Sequence, residues 1–284
     1  MLKVLPVIEK DFDRAYPLLQ QIPTAVLVNK ETWRRLFVKQ WDCQIEPLGF
    51  VLTDGDETVG YIGLISAKRE VNGEPETIMG LTSWTVKKEH GGHAMKLIFP
   101  FIRDQEKTFT CFTPAKSVDA VLRRFGFQEL NSSWQLIPLW MTDLGKTQHQ
   151  VIFEVDQQLS LLSQRDLQIY NDHQKSSAEH LIIKDKEKAC YILAKRTLRK
   201  KLPFLQVHYV SDKKFFADVI GTFTLTICYR TKTLGLIVFD SYLEHQKIKG
   251  SIRIEMPDKP LFRSPKLKSH DIDSLYSEFF VLDF

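Results

Sequence analysis

Residues 49–98 impose two kinds of strand neighbour on this chain. Residues 49–53 and 58–68 are apolar-rich runs on either side of the turn Asp54, Gly55, Asp56, the pattern of an antiparallel hairpin. Asn72 and Gly73 turn the chain again into a strand over 77–86. That strand runs into Glu89, His90, Gly91, Gly92 and His93, and helical spacing follows over 94–105. A further strand over 108–113 makes this connection a β-α-β crossover, which joins parallel neighbours. Antiparallel strands leading into one crossover predict a mixed sheet with helices on both faces, an α/β (α+β) architecture.

The remainder of the first half fits that sheet. Residues 3–8 read as a strand, and Asp11 is placed to cap a helix through Ile22. Residues 31–41 read as a second helix, on which Trp33, Phe37 and Trp41 form an apolar stripe. A helix opened by Ser117 and two closing strands, 126–130 and 133–139, complete a first domain over 1–145. The order then recurs over 146–284. A strand at 151–155, a helix over 159–173 and a hairpin of 180–185 with 189–196 are followed by a strand at 204–210. A helix over 213–222, a strand at 235–239 and a terminal helix and strand end the copy. Two copies of one fold, joined by the polar stretch 141–150, are therefore expected. All five tryptophans and ten of the thirteen glycines fall in the first copy.

Composition removes several classes. Hydrophobic residues at 43% and charged residues at 26% exclude a disordered or fibrous chain. No apolar run is long enough to span a membrane, and Glu9 and Asp11 interrupt the start too early for a secretory leader. Cys43, Cys111, Cys190 and Cys228 are widely spaced and read as reduced thiols of a cytoplasmic protein. The net charge of +4 tolerates an anionic ligand, but nucleic acid is not expected. Lys195, Arg196, Arg199, Lys200 and Lys201 cluster without interleaved stacking aromatics, and read as a solvated hairpin face.

The glycine turn is the segment with chemistry. Two adjacent glycines between a strand and a helix let backbone N–H groups approach one anion closely, above all a phosphate. The alternative is a tight connector that binds nothing. His90 and His93 have no third ligand that would make a metal site, so no metal is expected.

Residues 81–98 resemble motif A of the GCN5-related N-acetyltransferase superfamily, in which a strand, a basic and glycine-rich loop and a helix hold acyl-CoA. Trp84, Thr85 and Val86 stand at the strand end, and Gly91, Gly92, His93, Ala94, Met95 and Lys96 at the loop. Arg123, Arg124, Phe125, Gly126 and Phe127 are similar to the superfamily's second marker. The superfamily's tyrosine is replaced by Leu122, and its loop-opening arginine or glutamine by Gly91. The resemblance implies two tandem acyl-CoA N-acyltransferase folds, the first binding acetyl-CoA or another acyl-CoA, the second a degenerate copy without the glycine turn.

The implied reaction transfers an acyl group to the amine of a small molecule or peptide. The backbone N–H groups of Thr85 and Val86 are candidates to stabilise the thioester oxyanion. Thr82, Ser83 and Trp84 with Cys111 and Thr113 are placed to line an acyl pocket. Glu89, His90 and His93 lie by the phosphates, away from the thioester. The other reading is an inactive acyl-CoA-binding or interaction module, which Leu122 favours.

Overall fold

A computed structural model describes residues 1–130, 133–141, 149–255 and 259–283. In chain order the strands are β1 (Leu2–Pro6), β2 (Gly49–Asp54), β3 (Glu57–Val71), β4 (Glu74–Val86), β5 (Thr108–Cys111), β6 (Gln128–Glu129), β7 (Ser133–Pro138), β8 (Gln150–Ile152), β9 (Glu179–Lys184), β10 (Ala189–Arg199), β11 (Leu202–Val210), β12 (Gly235–Phe239), β13 (Ile252–Glu255) and β14 (Leu261–Arg263). The α-helices are α1 (Phe12–Leu19), α2 (Lys30–Arg34), α3 (Phe99–Ile102), α4 (Lys116–Arg124), α5 (Gln164–His173), α6 (Lys213–Thr231) and α7 (Glu278–Val281).

The described strands form two seven-stranded mixed sheets. One runs β1-β2-β3-β4-β5-β14-β6, the other β8-β9-β10-β11-β12-β7-β13. Each has four antiparallel strands, then a parallel pair (β4 with β5, β11 with β12), then two antiparallel strands. The duplication inferred from element order is therefore a duplication of sheet topology.

The compact units do not follow the expected division at residue 145. One comprises Met1–Leu130, Asp258–Ile272 and Tyr276–Phe284, the other Asn131–Pro257 and Asp273–Leu275. The two closing strands of the first half are assigned to different sheets. β6 stays in the first, whereas β7 pairs with β12 and β13 in the second. The vacated place between β5 and β6 is filled by β14 from the end of the chain. Backbone ladders accept any strand whose side-chain alternation matches the two faces, so a swap of this kind leaves no mark on local pattern. β13 and β14 were not anticipated, and among the described residues no strand ends the chain. Most of the expected linker, residues 142–148, lies outside the described residues.

Helix boundaries show which local signals prevailed. The Asn29 side chain accepts from the Thr32 N–H at 2.8 Å and opens α2, which gives way to a 3-10 turn at Arg35–Phe37 instead of continuing to Trp41. Asp11 does not cap α1; its carboxylate accepts from the Ile8 N–H. Gly126 takes φ +82 after α4, and the Phe127 N–H returns to the Leu122 carbonyl at 3.2 Å, a glycine C-cap. In the second unit Asp212 caps α6, which runs for 19 residues and packs Phe216, Ile220 and Ile227 into that unit's core.

The basic cluster is divided. Lys195 is buried, and Arg199 lies over the Trp134 ring. Lys200 and Lys201 both adopt positive φ in the two-residue turn between β10 and β11.

Candidate functional site

The site of the first unit begins where a strand pair fails. β4 and β5 pair in parallel only at Ile78–Gly80 with Thr108–Thr110. β4 continues to Val86, but its ladder with β3 is interrupted: Tyr61 faces Thr85 and Gly63 faces Thr82. Ser83 and Trp84 therefore oppose Ile62 alone, a bulge in which Ser83 takes φ +53. Gly63 beside it is required, since a Cβ there would stand 2.9 Å from both Thr82 Cγ2 and the Tyr61 hydroxyl. A bulge bends its strand and ends pairing, so β4 diverges from β5 beyond Gly80.

The wedge between them opens on a cavity of about 420 Å³. Leu81 to Thr85 of β4 form one wall. Cys111, Thr113, Pro114, Ala115 and Val118, at the end of β5 and the start of α4, form the other. Ile22, Pro23, Trp33 and Leu282 close it with apolar surface, and Gln21 adds a polar group. The Trp84 indole N–H is buried with no hydrogen-bond partner. It is a donor available to a ligand in this wall.

Trp84 and Thr85 thus line the cavity, with Thr82, Ser83, Cys111 and Thr113. Val86 faces Gly60 in the β3 ladder and packs against the first core, as does Met95. Gly91, Gly92 and His93 are exposed and Ala94 is half-buried. A Cβ on Gly91 or Gly92 would meet nothing within 4 Å, so the fold makes no steric demand for either glycine.

The α-helix expected over 94–105 is not formed. Lys88–Leu97 is a 3-10 run, followed by the four-residue α3, which has Pro100 in its first turn. Adjacent glycines cost an α-helix about 1 kcal/mol each relative to alanine, which favours a short 3-10 turn here. Its leading N–H groups still lack partners within the run, as at any helix start. His90 Nε2 lies 3.6 Å from Asp54 Oδ2, which ties the turn to the β2–β3 hairpin. Among the described residues no three His, Cys, Asp or Glu side chains cluster as metal ligands.

Leu122, at the tyrosine position of the resemblance, is fully buried in the core beneath the sheet. Burial, reinforced by the charge of Glu278, pushes the Cys111 thiol far above its usual range, so it is a buried thiol and not a nucleophile. The aromatic stripe is buried throughout: Trp33 reaches the cavity, Phe37 stacks on Tyr61, and Trp41 meets Tyr276 edge-on.

Sequence reasoning missed Glu278. This first residue of α7 is 1% exposed. Its Oε1 accepts from the Thr113 hydroxyl at 2.8 Å, while Oε2 has no partner. Burial pushes the carboxyl up from 4.5 to about 7, against the opposing effect of its hydrogen bonds. The signal was a lone acid beside Phe279, Phe280, Val281 and Leu282, a run too apolar for a solvated carboxylate.

The second unit carries the same bulge in a closed form. Leu193 faces Tyr209 and Ala194 faces Val207, which leaves His208 as the extra residue on β11. Its carbonyl accepts from the Tyr242 hydroxyl at 2.7 Å, and its ring lies 2.7 Å from Ser274 Oγ.

Known structures share this mixed-sheet fold. The chain is similar to a GCN5-related N-acetyltransferase from Anabaena variabilis, with TM-score 0.62 and 13% identity over 93% of this chain and 72% of that one. A probable N-acyltransferase from Enterococcus faecalis gives TM-score 0.62 at 10% identity, over 95% and 74% of the two chains. A putative acetyltransferase from Pyrococcus horikoshii gives 0.53 at 12% identity, over 96% and 92%. No family model matches the sequence, and no curated protein sequence does. The protein has the GCN5-related N-acetyltransferase fold, with two sheets of that kind in tandem.

Proposed function

We propose that this protein is an acyl-CoA-dependent N-acyltransferase whose reaction takes place in the wedge of the first unit. The observation that carries the reading is the separation of β4 from β5 beside the Ser83–Trp84 bulge, opening on the 420 Å³ cavity. A diverging strand edge offers backbone N–H and C=O groups to an extended, amide-bearing chain, and the pantetheine arm of CoA is such a chain.

Gly91, Gly92, His93 and Ala94 are the proposed phosphate contacts, for which the open space around both glycines leaves room. Trp84, Thr85 and Val86 bind the thioester end, and Met95 supports the turn from the core side. In this reading the Thr85 and Val86 N–H groups hold the oxyanion; one such donor is worth about 3–4 kcal/mol in comparable acyl-transfer sites. An amine of a small molecule or peptide enters beside Trp33 and Gln21.

The second unit binds no CoA in this reading, since its bulge carbonyl is taken by Tyr242. The first unit is thus the ligand-binding one and the second a closed one. Among the described residues no helix is long and apolar enough to cross a membrane, and a cytoplasmic location is proposed on that and the free thiols.

The buried alkyl group of Leu122 favours a second reading, an acyl-CoA-binding module without turnover. Both readings expect acetyl-CoA, octanoyl-CoA or myristoyl-CoA to raise the melting temperature, by about 2.7 kcal/mol of stability at a hundredfold excess over Kd. No shift with any of the three sinks both. Release of free CoA thiol that depends on added amine selects the enzyme.

A further inference from the structure

We propose that Glu278 is the proton acceptor for the incoming amine, acting through the Thr113 hydroxyl. This rests on the acyltransferase reading above and names the base that reading lacks.

Three observations converge on the pair. Thr113 lines the cavity, and its hydroxyl donates to Glu278 at 2.8 Å. The other oxygen of Glu278 is buried and unpartnered, an arrangement that costs stability and is seldom kept without a use. Cys111, the titratable neighbour whose thiol feels the Glu278 charge, is held protonated by burial and does not compete for the proton. A carboxyl that titrates near neutrality is poised for general base catalysis at physiological pH.

The acceptor arrives as an ammonium ion and Glu278 as a carboxylate. One N–H proton passes to Thr113 Oγ1 while the Thr113 hydroxyl proton passes to Glu278 Oε1. The freed nitrogen lone pair forms the N–C bond to the thioester carbonyl carbon, and the carbonyl π pair moves to oxygen. When that pair returns, the C–S bond breaks, and the sulfur leaves with a second N–H proton as the CoA thiol. Glu278 then gives its proton to water. Glu278 acts through Thr113 and does not touch the substrate, so it is a positioning and proton-accepting residue.

The test uses the full chain with acetyl-CoA and myristoyl-CoA, and butylamine, putrescine, lysine amide and a glycine-led peptide as acceptors. Acyl-CoA affinity is measured first by calorimetry. Equal binding to wild type and Glu278→Gln is expected, while absent binding to wild type refutes the acyltransferase reading itself. The pH profile of amine-dependent CoA release should rise through about pH 7 in the wild type. Glu278→Gln and Thr113→Val should lower kcat/KM by about 100-fold or more and abolish that limb, whereas Thr113→Ser should restore most of the rate. A retained limb, or a Glu278→Gln rate close to wild type, overturns the proposal. Should no amine stimulate release, the carboxyl carbon of Glu278 is followed by NMR in glutamate-labelled protein bound to acetyl-CoA. Titration near neutrality that is altered by Thr113→Val supports the relay; titration in the ordinary carboxylate range overturns it.

Discussion

Nδ1 of His208 lies 2.7 Å from Oγ of Ser274, and both side chains are buried. Burial, with the Lys195 ammonium adding to it, pushes this imidazole down from 6.5 to about 3. The folded chain holds it neutral, while the unfolded chain binds a proton below pH 6.5. Its contribution to stability is therefore complete above that pH and is lost as pH falls towards 3. Between pH 7 and pH 5 the wild type should lose about 2 kcal/mol more than His208→Gln, read from urea midpoints at each pH. His180, lowered to about 4, has the same sign but is common to both proteins and cancels. Parallel losses in the two would refute the buried neutral state.

Glu278 has the opposite sign. Its carboxyl is raised from 4.5 to about 7, so the stability it supports is full below pH 4.5 and is lost as pH rises through 7. Glu278→Gln should be more stable than wild type at pH 8 by roughly 3 kcal/mol, and nearly equal to it at pH 4. The two groups offset one another over pH 4.5–6.5, so the wild type should show a muted pH dependence that each variant unmasks. A Gln variant that melts below wild type at pH 8 would contradict the unpaired carboxylate.

Gly92→Asp should separate stability from binding. No atom stands within 4 Å of a Cβ at this position, so the melting temperature without ligand should change by no more than a surface substitution, within about 0.5 kcal/mol. A carboxylate among the proposed phosphate contacts should remove the thermal shift produced by acyl-CoA, and Gly92→Ala should keep it. An undiminished shift in Gly92→Asp would place the phosphates elsewhere.

A chain ended at residue 145 should not fold. It would lack β14, leaving β5 and β6 unpaired with each other and exposing core that Leu261 covers. It would also carry β7 without β12 and β13, and so expose Trp134 and Ile137. Circular dichroism and amide dispersion should show no cooperative melt. A dispersed, monomeric spectrum would mean that β7 can take the place of β14.

Much of the local architecture was legible in the sequence because its causes are local. The Asp54–Gly55 turn, the strand ending at Val86 and the apolar strand Gly235–Phe239 rest on turn residues and apolar runs a few positions long. Trp84 and Thr85 were legible as a strand end for the same reason, while their role in a site came only from the resemblance. The helix after the glycine pair was read from spacing that 3-10 and α geometry share over one or two turns, so its type was not.

Sequence alone determined that this chain would build a mixed sheet twice, since hairpin turns, crossovers and apolar alternation are written in neighbouring residues. Only the tertiary structure decided which strand fills each sheet's sixth place, because hydrogen-bond ladders do not read side-chain identity. It also brought Glu278, 165 residues from Thr113 along the chain, to a hydrogen bond with that hydroxyl. Burial from every side is a property of the packed chain, and it turns an ordinary glutamate into one that titrates near neutrality.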